Sequence, residues 1–96
     1  MKKDWVKKIV RNAIHEVSVA FEVAIECNES PMEFDRSVEF DFTPFKGRKR
    51  GVTVRDDGRG NYTTSHGFHS PADMKSDLLQ QAICGRIAER LLTENL

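Results

Sequence analysis

Residues 54–73, VRDDGRGNYTTSHGFHSPAD, hold three carboxylates, two arginines, two histidines and three glycines, the densest run of chemistry-capable side chains in the chain. His66-Gly67-Phe68-His69 sets two imidazoles at H-x-x-H spacing, with Asp73 close behind. A zinc site takes three or four convergent ligands, and here only two or three are local; Cys84 would have to come from the middle of a helix. Asp56 and Asp57 are adjacent, so their side chains diverge. Ser65 beside His66 is no nucleophile–base pair, because sequence neighbours rarely meet in that geometry. General acid–base work by His66 or His69 with Asp57 has nothing in the spacing to favour it. No catalytic residue, metal or cofactor is therefore expected, and the chain is read as no enzyme. Most of the run has structural explanations: Asp57-Gly58 for a tight turn, and Ser70, Pro71 and Asp73 for a helix start. His66, Phe68 and His69 are the unexplained remainder.

The elements around this run follow from periodicity. A first amphipathic helix is expected over about residues 3–14: Trp5, Val6, Ile9, Val10, Ala13 and Ile14 share one half of the helical wheel. In residues 16–27, Val17, Val19, Phe21, Val23, Ile25 and Cys27 fall on every second position, which predicts a long half-buried strand; a helix continuing through it is the competing reading. NESPMEFDRS reads as a turn or hairpin loop. SVEFDFTPF is a second strand with Val38, Phe40 and Phe42 inward, ended by Pro44. KGRKRG is a loop tip, VTVRDDGRG a short strand and turn, and NYTTS a fourth short strand. The last helix is expected over 71–93, started by Ser70-Pro71-Ala72-Asp73. Its apolar residues cover a wide arc, from Met74 and Leu78 to Leu91 and Leu92. A helix of that kind is buried on two sides: either the sheet and first helix cover it, or the same helix of a second subunit does, through a homodimer seam at Ile87 and Leu91. The fold class is α+β, ordered α-β-β-β-(β)-α: an antiparallel sheet of three to four strands with both helices on one face, in a single domain over residues 1–96.

The 96 residues are 39% apolar and 31% charged with zero net charge, which excludes a disordered tail and a global field toward nucleic acid or acidic lipid. Cys27 and Cys84 sit in apolar patterns and read as reduced core thiols of a cytoplasmic protein. MKKDWVKKIVRN lacks the unbroken apolar run of a signal peptide, and no stretch approaches the ~20 apolar residues of a membrane span. Zero net charge hides a segregation. Residues 1–15 carry five basic and one acidic side chain, residues 16–45 one and eight, and residues 46–60 six and two. On a strand reading, Glu16, Glu22, Glu26, Glu39 and Asp41 share the outer sheet face, and Lys46, Arg48, Lys49 and Arg50 cluster at a tip.

Two resemblances bear on function. KGRKRG sets four cations around a glycine, enough for phosphate contact, and Lys2, Lys3, Lys7, Lys8 and Arg11 form a second basic strip on the first helix. The order α-β-β-β-α, in element order alone, resembles the double-stranded-RNA-binding domain, which reads shape across two minor grooves. That family places lysines at the start of its last helix, where this chain reads SPADMKSD. VRDDGRG resembles the first glycine box of histidine-kinase-type ATPases. That likeness would make Asp57 the adenine acceptor and Asn12, in RNAIHE, the magnesium ligand. The second glycine box of that family is missing here, and Lys8 stands where an acidic residue is expected.

The function expected is a non-enzymatic protein-binding module: an accessory, adaptor or inhibitor protein of the kind mobile elements carry. Its acidic face, through Glu22, Glu26, Glu39 and Asp41, would meet a basic patch of another protein. Its basic tip, through Lys46, Arg48, Lys49 and Arg50, would meet an acidic patch or phosphate. Phe45 and Phe68, in loop contexts, are the aromatic candidates for partner anchors. Nucleic-acid binding by the tip and the first helix is the alternative, and no membrane is involved.

Overall fold

The computed structural model describes residues 1–66 and 71–94. Helix α1 spans Lys3–Ala20. It buries Val6, Ile9, Val10, Ala13, Ile14 and Val17, an unbroken i, i+3, i+4 series. The strand expected over 16–27 is therefore corrected. Its first five residues, 16–20, belong to α1, because Val17 extends the helical stripe by one turn while Val19 of the alternating set stays exposed. Glu16 is held from outside the helix, pairing with Arg86 at 3.3 Å and also with Arg90.

The helix stops at a defined motif. The Val23 amide donates to the Ser18 carbonyl and the Glu22 amide to that of Val19, the two bonds of a Schellman cap. Glu22 takes the left-handed position with φ 52°. The Ser18 hydroxyl closes the turn by donating to the Val23 carbonyl at 2.6 Å. What remains of the expected strand is β1, Ile25–Cys27.

Four more strands follow: β2 Met32–Glu33, β3 Ser37–Pro44, β4 Arg50–Asp56 and β5 Tyr62–His66. All pairings are antiparallel, in the order β1-β3-β4-β5, with β2 also on β3. β1 opposes Phe42–Pro44 and β2 opposes Val38–Glu39, so together they form one interrupted edge strand. The two residues of β2 lie inside the segment read as loop; they are too few to show a period. The sheet thus has five strands where three to four were expected.

Register fixes the faces. Val38, Phe40 and Phe42 of β3 oppose Val54, Val52 and Arg50 of β4, and this set faces the helices. Glu39, Asp41, Thr53 and Arg55 face away. Helix α2, Met74–Glu94, buries Leu79, Ile83, Cys84, Ile87 and Leu91. These join the α1 stripe and the inner sheet face in one core, so both helices lie on the same side of the sheet. The chain is α+β, as its periodicity predicts. Among the described residues no helix is long and apolar enough to cross a membrane.

Ile87 and Leu91 are 0% and 4% exposed within the single chain. The homodimer seam placed on them is corrected accordingly: the chain's own α1 and sheet use up that stripe. The helix also begins later than expected, at Met74, with Asp73 as its cap. Its carboxylate accepts from the Ser76 amide at 3.0 Å, and Asp77 in turn accepts from the Asp73 amide at 3.3 Å. Ser70, the cap expected from sequence, lies outside the described residues.

The left-handed cap residue gives a clean test. A side chain there costs ~1–2 kcal/mol, while glycine adds ~0.5–1 kcal/mol of unfolded-state entropy to be lost. Glu22→Gly should therefore raise stability by about 0.5–1 kcal/mol in urea unfolding, with an unchanged slope.

Candidate functional site

The basic tip is built by the close approach of two elements. The loop from Pro44 to Arg50 turns at Lys46, which has φ 59°, and closes with the Gly47 amide on the Pro44 carbonyl at 2.8 Å. Gly47 then passes the start of α2 so closely that a Cβ there would lie 2.6 Å from the Ser76 hydroxyl oxygen. That hydroxyl accepts from the Arg48 amide at 2.7 Å and donates to the Asp73 carboxylate. The loop is therefore seated on a helix start.

Of the four cations expected at the tip, three are exposed there. Lys46 lies over the Phe45 ring at 5.4 Å, Arg48 projects outward, and Lys49 pairs with Asp41 at 3.3 Å. Such an exposed pair contributes ~0.2–1 kcal/mol and leaves Lys49 free to exchange partners.

Arg50 is the correction. It is 1% exposed and points into the core side of the sheet, opposite Phe42. Its Nε donates to Asp77 at 2.7 Å, and its two terminal nitrogens donate to the carbonyls of Lys49 and Pro71, each at 2.8 Å. It is a structural residue and offers nothing to a partner. Sequence did carry the signal: Val52 and Val54 face inward, and the same alternation run back two residues points Arg50 inward as well.

The expected acidic face divides in the same way. Glu26, Glu39 and Asp41 lie on the outer sheet face, opposite Thr43, Thr53 and Gly51. Glu22 does not; it sits at the end of α1, and Glu16 faces α2.

Sequence reasoning missed one feature of this end of the molecule. Phe21 and Val23, just past α1, and Met74, Leu78 and Leu79, at the start of α2, line an apolar groove of about 490 Å³ with Lys75 on its rim. Lys75 donates to the Phe45 carbonyl, and the Phe45 amide donates to the Ala24 carbonyl at 2.8 Å, which fixes the tip beside the groove. Met74 and Leu78 read as core residues in a helical pattern, and no local period reveals that they stay exposed.

The chemistry-rich run resolves mostly into turn structure. Asp57 accepts from the amides of Arg59 and Asn61, at 2.7 and 3.2 Å, and Asp56 accepts from the Gly58 amide at 2.7 Å. The Arg59 amide, with Asn61, holds the Asp57 carboxyl below its ordinary range. Asp57 is therefore committed to the turn and does not project as a nucleotide acceptor. Gly58 and Gly60 both take positive φ, which the turn requires of them. His66 ends β5 opposite Val52; Phe68 and His69 lie outside the described residues. Among the described residues no three His, Cys, Asp or Glu side chains gather as a metal set. Burial pushes the thiols of Cys27 and Cys84 up, the latter to about 11, so both stay protonated at neutral pH.

The cations of the first helix are remote from the tip. Lys7 pairs with Asp4 and Glu33, and Trp5 packs edge-on against Tyr62, near the far end of β4. Arg55, near the far end of the seven-residue β4, lies roughly 15–20 Å from the tip. No protein family, curated protein or solved structure compared with the chain matches it.

Asp77→Ala would strand the buried Arg50 guanidinium with two carbonyl partners. A loss of about 2–4 kcal/mol in urea unfolding is expected. Arg50→Met should cost less, because Asp77 keeps a third of its side chain in water. The Ser76 hydroxyl, then the Ser76 amide, hold the Asp73 carboxyl below its ordinary 3.8. A lowered folded value contributes stability above the unfolded value, and that contribution is lost as pH falls through the folded one. Melting temperature should therefore drop on acidification below about pH 4, and Asp73→Asn should flatten that limb.

Proposed function

We propose that the chain is a non-enzymatic protein-binding module of the accessory, adaptor or inhibitor type. The observation that carries this reading is the convergence of large exposed apolar side chains and cations at one end of the molecule. Phe21, Phe45, Met74 and Leu78 are each more than half exposed, and Lys46, Arg48 and Lys75 lie among them. Isolated exposed apolar residues are ordinary, whereas a contiguous set rimmed by polar groups marks an interaction surface. The outer sheet face supplies a second surface of opposite sign through Glu26, Glu39 and Asp41. Complementary charge of this kind steers and orients an encounter more than it tightens one.

The same arrangement favours a protein over nucleic acid. The tip cations and those of α1 lie at opposite ends of the molecule, α1 being about 25 Å long, so no single basic strip tracks a phosphate backbone. The acidic outer sheet face adjoins the tip and repels phosphate.

The test is affinity capture with quantitative mass spectrometry, using wild type and two charge-reversed variants. One carries Glu26→Lys and Asp41→Lys, the other Lys46→Glu and Arg48→Glu. A protein retained by wild type and lost with at least one variant is expected. Retention of the same proteins by all three would refute a partner-binding role for both surfaces. Salt-sensitive binding of labelled duplex RNA or DNA, abolished by the tip variant, would favour the nucleic-acid alternative.

A further inference from the structure

We infer that the groove between the end of α1 and the start of α2 receives an amphipathic helix of another protein, one carrying acidic residues beside its apolar face. The inference rests on the protein-binding reading and names the partner of one of its surfaces. Phe21 and Val23 form one wall, Met74 and Leu78 the other, and buried Leu79 the floor. Met74 and Leu78 are one helical turn apart, so the wall presents a ridge of the kind that helices pack against.

Most of the wall backbone is already paired. The amides of Phe21, Glu22 and Val23 are spent on the carbonyls of Val17, Val19 and Ser18, and the Ala24 carbonyl is taken by Phe45. Leu78 and Leu79 lie inside α2. An extended segment gains its affinity from main-chain bonds to a free edge, which these walls lack. A helix satisfies its own backbone and needs only apolar contact.

Charge selects among helices and other occupants. Lys75 stands on the rim, and Lys46 and Arg48 follow Phe45 beside it; of the nearby carboxylates, Asp73 is turned to Ser76 and Asp77 to Arg50, while Glu22 is exposed. A second copy of this chain would bring the same cations against one another. An anionic membrane would meet Glu22 at the groove edge and Asp41 behind the tip. A membrane is also flat, whereas this site is a furrow with a buried floor. A helix with acidic flanks matches both the shape and the sign.

The probe is a designed, labelled helical peptide of roughly 18 residues, about 27 Å long, with leucines at i, i+3 and i+7 flanked by glutamates. Its counterpart replaces the glutamates with lysines. Anisotropy should show the glutamate peptide binding at least about tenfold more tightly than the lysine peptide. Leu78→Glu, at a position 54% exposed and so tolerant of charge, should weaken it by at least about tenfold while leaving thermal melting unchanged. Lys46→Glu with Lys75→Glu should reverse the preference. Equal affinity for the two peptides, absence of binding, or indifference to Leu78→Glu would overturn the inference. So would Leu78-dependent sedimentation with phosphatidylserine vesicles. If the peptides fail while capture still depends on the tip or the acidic face, the groove assignment alone falls. If capture is indifferent as well, the protein-binding reading falls with it.

Discussion

The burial of Arg50 is the constraint on which this fold turns. A guanidinium removed from water is tolerated only when its donors are paired, and three elements supply the acceptors: the Asp77 carboxylate of α2, the Lys49 carbonyl at the tip and the Pro71 carbonyl before α2. The three cannot be met separately. Satisfying Arg50 fixes the start of α2 against the start of β4, and with it the seat of the loop between. Gln80 repeats the device one turn further along α2, donating from its buried side chain to the Gly51 carbonyl at 2.8 Å. Apolar packing of Leu79, Ile83 and Ile87 presses the helix onto the sheet, and such packing tolerates sliding. The polar contacts of Arg50, Ser76 and Gln80 do not, so they set the register.

That register explains the composition of the nearby surface. Because α2 is held with Asp77 toward Arg50 and Leu79 toward the core, Met74 and Leu78 must turn away from it. The Schellman cap likewise directs the chain after Ala20 back toward β1 and leaves Phe21 on the outside of the bend. The apolar groove is therefore a consequence of two helix ends whose geometry is fixed by hydrogen bonds rather than by apolar burial. A protein that needed no exposed apolar surface there would carry polar residues at Phe21, Met74 and Leu78 at no cost to the core, since none of the three belongs to it.

Much of the architecture was legible in the chain. The stripe of α1, the alternation of β3 and the turn at Asp57-Gly58 all declare themselves within a few residues. The boundary at residues 16–27 did not, because Val17 satisfies two periods at once while Val19 and Val23 extend only the alternating one. Val17 completes the helical series begun at Val6, and Glu16 is held by Arg86 and Arg90, some seventy residues away in sequence. No local window contains that contact. Arg50 was misread for the opposite reason. Its neighbours Arg48 and Lys49 are true surface cations, and composition outweighed the register that Val52 and Val54 already fixed. The groove was hidden most deeply, since its walls come from residues about fifty apart in sequence.

The charge segregation also changes meaning in three dimensions. Along the chain it reads as basic, acidic, basic. In the fold the first basic block is partly cancelled by Asp4 and Glu33, and one cation of the second is withdrawn into the interior. At this end of the surface stands a small cationic rim beside an apolar furrow, next to a sheet face carrying Glu26, Glu39, Asp41 and threonines. A phosphate backbone needs repeated cations along a track, and this surface has three or four at one end. A single acidic helix needs an apolar slot and a few cations at its edge. The match rests on position: Lys46, Arg48 and Lys75 stay exposed beside the slot, whereas Arg50 is buried and Lys7, Arg86 and Arg90 are paired with carboxylates elsewhere.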